Sequence, residues 1–198
     1  MIPVANPIAE PPNFDANCRQ LGNAWLALNP NASTKEFPNH WAQFEDELAT
    51  GFQHRCGWLA FEITEGDVDH YLSKKNHRHL SYEWTNYRYI AGTVNSSKRN
   101  RDDQVLDPFE VQQGWFVVGL PDMQVRRTDV VPQPLRAKAD FTITQLKLNA
   151  RKHRRTRLRH YQRHKDGIMS IELLRAMNPL VGAAVDAFRA ANPAGNLP

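Results

Sequence analysis

Residues 56–108 read CGWLAFEITEGDVDHYLSKKNHRHLSYEWTNYRYIAGTVNSSKRNRDDQVLDP, and this stretch decides the fold. It begins with a short apolar run, GWLAFEI at 57–63, expected as a strand, passes a polar turn at Glu65–Gly66, and reaches a second short extended piece ending at Asp69–His70. Residues 71–81 are polar and irregular. Residues 83–99, EWTNYRYIAGTVNSSKR, suggest a short helix or turn carrying its own polar residues, and a long loop through KRNRDD and LDP follows. Asp69 and His70 place a carboxylate beside an imidazole, with Asn86 after fifteen intervening residues and Asn95 after eight more. Metal-assisted phosphodiester hydrolysis needs these types: a base to activate water, oxygen ligands for a hard divalent cation, and a cation beside the departing oxygen. Successive strand residues face opposite sides, so Asp69 and His70 share one centre only if a bend or twist turns their tips together. The alternative is a surface Asp–His pair beside two turn asparagines.

On the N-terminal side, a proline-rich start leads into an expected helix over 14–28 anchored by Trp25 and Leu28, which Asn29 and Pro30 stop. Trp41, Phe44 and Leu48 repeat at three- and four-residue spacing and predict a second helix over 34–50. Beyond residue 108, GWFVVGL at 114–120 and MQVRRTDVV at 123–131 resemble a hairpin turning at Pro121–Asp122, with Trp115 and Phe116 as core strand residues. Thr142 or Thr144 is expected to cap a basic helix with Leu146, Ala150, Leu158 and Tyr161 on its inward side, ended by Gly167. A helix pair over 170–177 and 179–191 follows, with Ile171, Leu174, Val181, Val185 and Phe188 as core.

The 198 residues have room for one sizeable domain burying roughly 70% of its unfolded surface. No internal repeat or domain boundary stands out, so 1–198 reads as a single domain with its core at 50–108 and a basic helix and C-terminal helices over 142–198. Two cysteines, Cys18 and Cys56, exclude a dense disulfide framework and a four-cysteine zinc site. No basic n-region with an apolar core opens the chain, and no window approaches eighteen apolar residues, so a cytoplasmic protein without membrane association is expected. Net charge is +4, yet residues 145–165 alone hold nine Lys or Arg, three His and no acid, leaving −5 for the rest. Such a stripe attracts phosphate backbones through counterion release, and an acidic partner protein would use the same surface.

The stretch resembles the HNH, or His-Me finger, endonuclease family, particularly the branch of bacterial antiphage systems. The matching pieces are Cys56, Asp69–His70, Ser73–Lys74, Trp84–Thr85–Asn86, Asn95–Ser96–Ser97–Lys98 and Asp107–Pro108. The resemblance covers roughly 50–108 and extends more weakly into QLKLN at 145–149 and the basic helix. It implies an α+β fold with a ββα-metal nuclease core in a mainly helical frame. By the same resemblance His70 is the general base, Asp69 and Asn95 bind one Mg²⁺ or Mn²⁺, and Asn86 fixes the ββα turn and orients His70. Lys98 would contact phosphate, with Lys74, Arg88 and Arg99 near the site and Arg154, Arg155, Arg157 and Arg159 on the basic helix as further nucleic-acid contacts. Arg88 could equally sit in a salt bridge. Hydrolysis would leave 5′-phosphate and 3′-hydroxyl ends, with DNA the expected substrate. Similar nucleases work beside an ABC-type ATPase and sometimes a retron. Where such nucleases hold a structural zinc on four cysteines, this chain has Cys56, Leu59, Ala91 and Val94, so no structural zinc is expected and apolar packing would replace it. Two other classes stay open: a catalytically inactive nucleic-acid-binding subunit, and a scaffold whose basic helix docks an acidic partner.

Overall fold

The structure is a computed structural model that describes residues 1–193 and 195–198. It shows a mixed α+β fold with two small antiparallel sheets among helices. The first sheet pairs β1 (Asp67–His70) with β2 (Tyr87–Ile90), in the register Asp67↔Ile90 to His70↔Tyr87. The second pairs β3 (Phe116–Val118) with β4 (Val125–Arg127).

The N-terminal helical layer packs on one side of the first sheet. A π-helical turn, Asp15–Gln20, runs into α1 (Leu21–Leu28), as the apolar spacing predicts. The helix ends where Asn29 turns back to bond the Trp25 carbonyl, directly before Pro30. Gly22 lies against the Tyr82 ring, where a Cβ would meet ring carbons at 2.2 Å, so only glycine lets α1 sit this close. The second expected helix is shorter than 34–50: a 3₁₀ turn, His40–Phe44, precedes α2 (Glu45–Gly51). Pro38 explains the late start, since it disfavours helical backbone at Phe37. Phe14, Phe44, Leu48, Tyr82, Trp84 and Tyr87 form the core of this layer.

The run at 57–63 is not a strand. Ala60 takes a positive φ of 57° and its N–H closes a turn on the Cys56 carbonyl, leaving only an isolated bridge between Arg55 and Glu62. Residues 83–99 hold a 3₁₀ turn, Trp84–Asn86, and a short helix, α3 (Gly92–Lys98), as expected, but the strand β2 between them was not expected. Cys56, Leu59 and Val94 are fully buried in a second core with Ala91 packed against it, so the four positions named for zinc lie together in apolar packing.

That second core also holds the C-terminal helices. The basic helix is α5 (Arg151–Lys165), and a separate helix, α4 (Gln133–Gln145), precedes it. Thr142 and Thr144 therefore cap nothing. They lie inside α4 and donate to the Lys138 and Asp140 carbonyls one turn back. Leu158 is 47% exposed, not inward, because α5 turns His153, Arg157, His160 and Tyr161 to the core at helical spacing. Gly167, at φ +73°, follows the helix end. The pair α6 (Ile171–Met177) and α7 (Pro179–Ala191) matches the predicted helices, with the Ser170 hydroxyl accepting the Leu173 N–H at 3.1 Å and Pro179 in the first turn of α7. Among the described residues no helix is long and apolar enough to cross a membrane.

Candidate functional site

The hairpin β1–β2 is joined by residues 71–86 and continues into α3, an arrangement that sets the site's chemistry. Strand alternation sends Val68 and His70 toward the N-terminal aromatic layer and Asp67 and Asp69 toward α3. Both faces reach one pocket of about 310 Å³, because it opens along the strand and takes lining from Val68, Asp69, His70, Lys74, Asn95 and Arg99. Asp69, His70 and Asn95 thus all line one pocket.

His70 is held on three sides. Trp41 meets its ring edge-on with centroids 4.7 Å apart, Tyr87 does so at 5.0 Å, and Nε2 lies 2.8 Å from the Ser81 carbonyl. A carbonyl only accepts, so Nε2 carries the proton and Nδ1 keeps the lone pair of the neutral ring. Among the described residues Nδ1 has no hydrogen-bond partner. Burial, reinforced by the Lys74 ammonium and opposed by the Ser81 carbonyl, pulls the imidazole down to about 3, so the ring is neutral at pH 7.

Asn86 does not touch the pocket. Its Nδ2 donates to the Leu72 and Leu80 carbonyls at 3.0 and 3.1 Å, and its Oδ1 accepts the Leu72 N–H at 2.8 Å. This clamps both ends of the 71–81 loop and sets Leu80 directly before Ser81, whose carbonyl also accepts the Tyr87 hydroxyl at 2.9 Å. Asp102 secures the loop's middle through the Ser73 N–H at 2.7 Å and the Asn76 amide at 2.5 Å. His77 lies in the same loop, 3.8 Å from the Asp102 carboxylate.

Asp69 is 5% exposed, and Lys98 is the reason a carboxylate can sit there. Lys98 is fully buried; its Nζ lies 3.0 Å from Asp69 Oδ2 while donating to Oδ1 and to the His70 and Tyr71 carbonyls at 2.9–3.2 Å. All three N–H groups are engaged, so Lys98 has none for a phosphate, against the expectation from sequence. Asp69 Oδ2, although close to the ammonium, receives no directed hydrogen bond. Burial pushes the Asp69 carboxyl above its ordinary value, an effect the Lys98 charge opposes. Asn95 Nδ2 donates to Asp67 Oδ2 at 3.3 Å, and the side-chain Oδ1 of Asn95 has no hydrogen-bond partner among the described residues.

The other expected phosphate contacts divide. Lys74 is half-buried with Nζ 4.4 Å from the Trp41 ring centre, and Arg99 is exposed at the pocket mouth. Arg88 is buried and bidentate on Asp107, with its Nη1 on the Thr85 and Tyr87 carbonyls, so the salt-bridge alternative describes it. Arg157 is fully buried on the Met123 and Leu148 carbonyls and cannot reach a ligand from outside. Arg154 is half-buried with Nε on the Asp122 carbonyl, while Arg155 and Arg159 are exposed. These helix residues share no lining with the His70 pocket; Arg154 and Arg155 border a separate one.

Sequence reasoning missed Ser81, Trp41 and Asp102. Ser81 acts through a backbone carbonyl and carries no side-chain signal, and Trp41 reads as ordinary core. Asp102 could have been found from KRNRDD, since an acid in a basic loop invites a partner. Among the described residues no group of three or more His, Cys, Asp or Glu side chains is placed to hold a metal ion, and of the oxygen-bearing side chains that line the pocket, Thr34, Asp69, Ser73, Asn95 and Asn100, the sequence singled out Asp69 and Asn95 for a cation. That pair of hard oxygens suits Mg²⁺ or Mn²⁺, which leave several positions to water and phosphate. A scan against protein-family models and a search of curated proteins return no match for this chain.

Proposed function

We propose that the chain is a divalent-metal-dependent endonuclease built on a ββα-metal core formed by β1, β2 and α3. One observation carries the reading: His70, whose Nδ1 has no hydrogen-bond partner among the described residues, lines the pocket that Asp69 and Asn95 also line. His70 Nδ1 takes the proton from the attacking water, while Nε2–H stays on the Ser81 carbonyl, which stabilises the imidazolium as it forms. The low basicity of the free ring rises when a phosphodiester brings negative charge beside it and offsets Lys74. Lys74 and Arg99 hold the non-bridging oxygens, and Asn86 keeps the loop that carries Ser81 in register. A cation bound by Asp69 and Asn95 would supply charge neutralisation at the phosphate and the leaving 3′ oxygen. DNA is the proposed substrate, and the proposed setting is antiphage defence beside an ABC-type ATPase, with or without a retron.

The experiment is cleavage of plasmid and linear DNA with Mn²⁺, alongside calorimetric Mn²⁺ titration of wild type and Asn95→Ala. Weaker Mn²⁺ binding together with slower cleavage in the variant supports the reading. Unchanged Mn²⁺ affinity removes Asn95 from it. A second reading, a noncatalytic nucleic-acid-binding or scaffold subunit, is favoured by the Lys98 ammonium that already neutralises Asp69. It predicts salt-sensitive DNA binding that is indifferent to EDTA, and no turnover.

A further inference from the structure

The β3–β4 hairpin has one partly covered edge and one uncovered edge. Trp115 and Gly119 bond across to Thr128 and Gln124, so odd-numbered β3 residues face β4 and the N–H and C=O of Phe116 and Val118 point away from it. On β4 the outward residues are Val125 and Arg127, and Val125 is covered: Asn149 accepts its N–H at 2.8 Å and donates to its carbonyl at 2.9 Å, while the Arg127 backbone has no such cover among the described residues. Among the described residues no group does the same for Phe116 or Val118. Instead that edge borders a groove of about 380 Å³ whose opposite wall is α7, presenting the small side chains Ala183, Ala184 and Ala187. Unpaired strand edges are templates for another strand, and natural proteins normally cover or charge them.

We propose that this groove binds an extended peptide segment of a protein partner, added as a third strand beside β3, with alternate apolar side chains in the groove and acidic residues at one end. The backbone edge supplies the hydrogen bonds and the apolar walls select the alternate side chains. Charge sets the acidic end: Pro121 separates the groove from a second pocket of about 460 Å³ lined by Arg151, Arg154, Arg155, the half-exposed Leu158 and one acid, Asp122, whose carboxylate is already paired with Arg126. Nucleic acid suits the arginines but not the adjoining apolar groove. The groove shares no lining residue with the His70 pocket, so an occupant leaves that pocket open and the inference stands apart from the nuclease reading.

The test has two parts. Amide hydrogen exchange on the free chain should be fast at Phe116 and Val118 and slow at Val117 and Val125; slow exchange at Phe116 and Val118 at every protein concentration, or only at high concentration, shows the edge already covered by this chain or a second copy and overturns the proposal. A randomised decapeptide library displayed on phage should then enrich Val, Ile or Leu at alternate positions with Asp or Glu at one end. A synthesised winner should slow exchange at Phe116 and Val118, and bind at least tenfold more weakly to Ala187→Arg, which fills the groove from an exposed position, and about fivefold more weakly to Arg154→Glu/Arg155→Glu. Selection without that pattern, equal binding to Ala187→Arg, or a charge-reversed pair that loses DNA duplex binding while keeping the peptide, overturns it.

Discussion

The two hairpins share a plan, an antiparallel pair backed by a helix, but they dispose of their polar groups in opposite ways. In the first, residues 71–86 form a long polar connection, and every charge the hairpin buries has a partner: Lys98 on Asp69, Arg88 on Asp107. In the second, a short turn joins mostly apolar strands, and the unanswered polar groups are backbone N–H and C=O along β3. The first therefore fixes side chains in place around a small polar pocket, which is what chemistry requires, whereas the second leaves an edge and an apolar groove, which is what docking requires.

Removing a buried partner should separate the two most sharply. Lys98→Met leaves the Asp69 carboxylate and two carbonyls without their donor inside the protein, and breaking such a pair costs about 3–5 kcal/mol. Urea unfolding should show that loss, and Lys98→Met/Asp69→Leu should recover much of it; a single variant as stable as wild type would mean the pair is solvated in solution. Arg88→Met should behave similarly through Asp107. In the second hairpin Asn149→Ala exposes the Val125 backbone groups and should cost about 1–3 kcal/mol, with faster Val125 amide exchange as its signature.

Acid should strike the first region through His70. Its folded value lies below the ordinary 6.5, so the unfolded chain takes up a proton first. Stability is full above about pH 6.5 and falls as pH drops toward 3, at roughly 1.4 kcal/mol per pH unit from this residue once below 6.5. His153, pulled down to about 4 chiefly by burial, adds a loss of the same sign. Thermal melts between pH 7 and 4.5 check it, and His70→Gln should flatten the profile. The smallest effect belongs to the exposed Arg175–Asp186 pair, where Asp186→Ala should leave the urea midpoint essentially unchanged.

Much of this contrast was legible in the chain. Asp69–His70 stands out because a carboxylate and an imidazole close an extended run, and the β3–β4 hairpin and the α6–α7 pair follow from periodicity and from turn and proline signals. Two of the buried cations were not legible: Lys98 and Arg157 read as nucleic-acid contacts because their acceptors lie far away in sequence or are backbone carbonyls, whereas for Arg88 the salt bridge was one of two open readings. Strand β2 was hidden for the same reason, since YRYI carries an arginine whose charge is answered only by Asp107. The 57–63 run misled because its apolar residues are buried through turns rather than through a ladder. An open strand edge has no sequence signature, because it is defined by which neighbours are missing.

The most direct measurement is cleavage of plasmid DNA by purified wild type and His70→Ala, each with Mg²⁺, Mn²⁺ or EDTA and each checked for folding and trace nuclease. The account predicts metal-dependent cleavage by wild type, abolished by EDTA, and slowed about 10²–10⁴-fold in the variant with its fold and DNA binding intact. Equal cleavage by the folded variant, or DNA binding without cleavage under every metal condition, would contradict it.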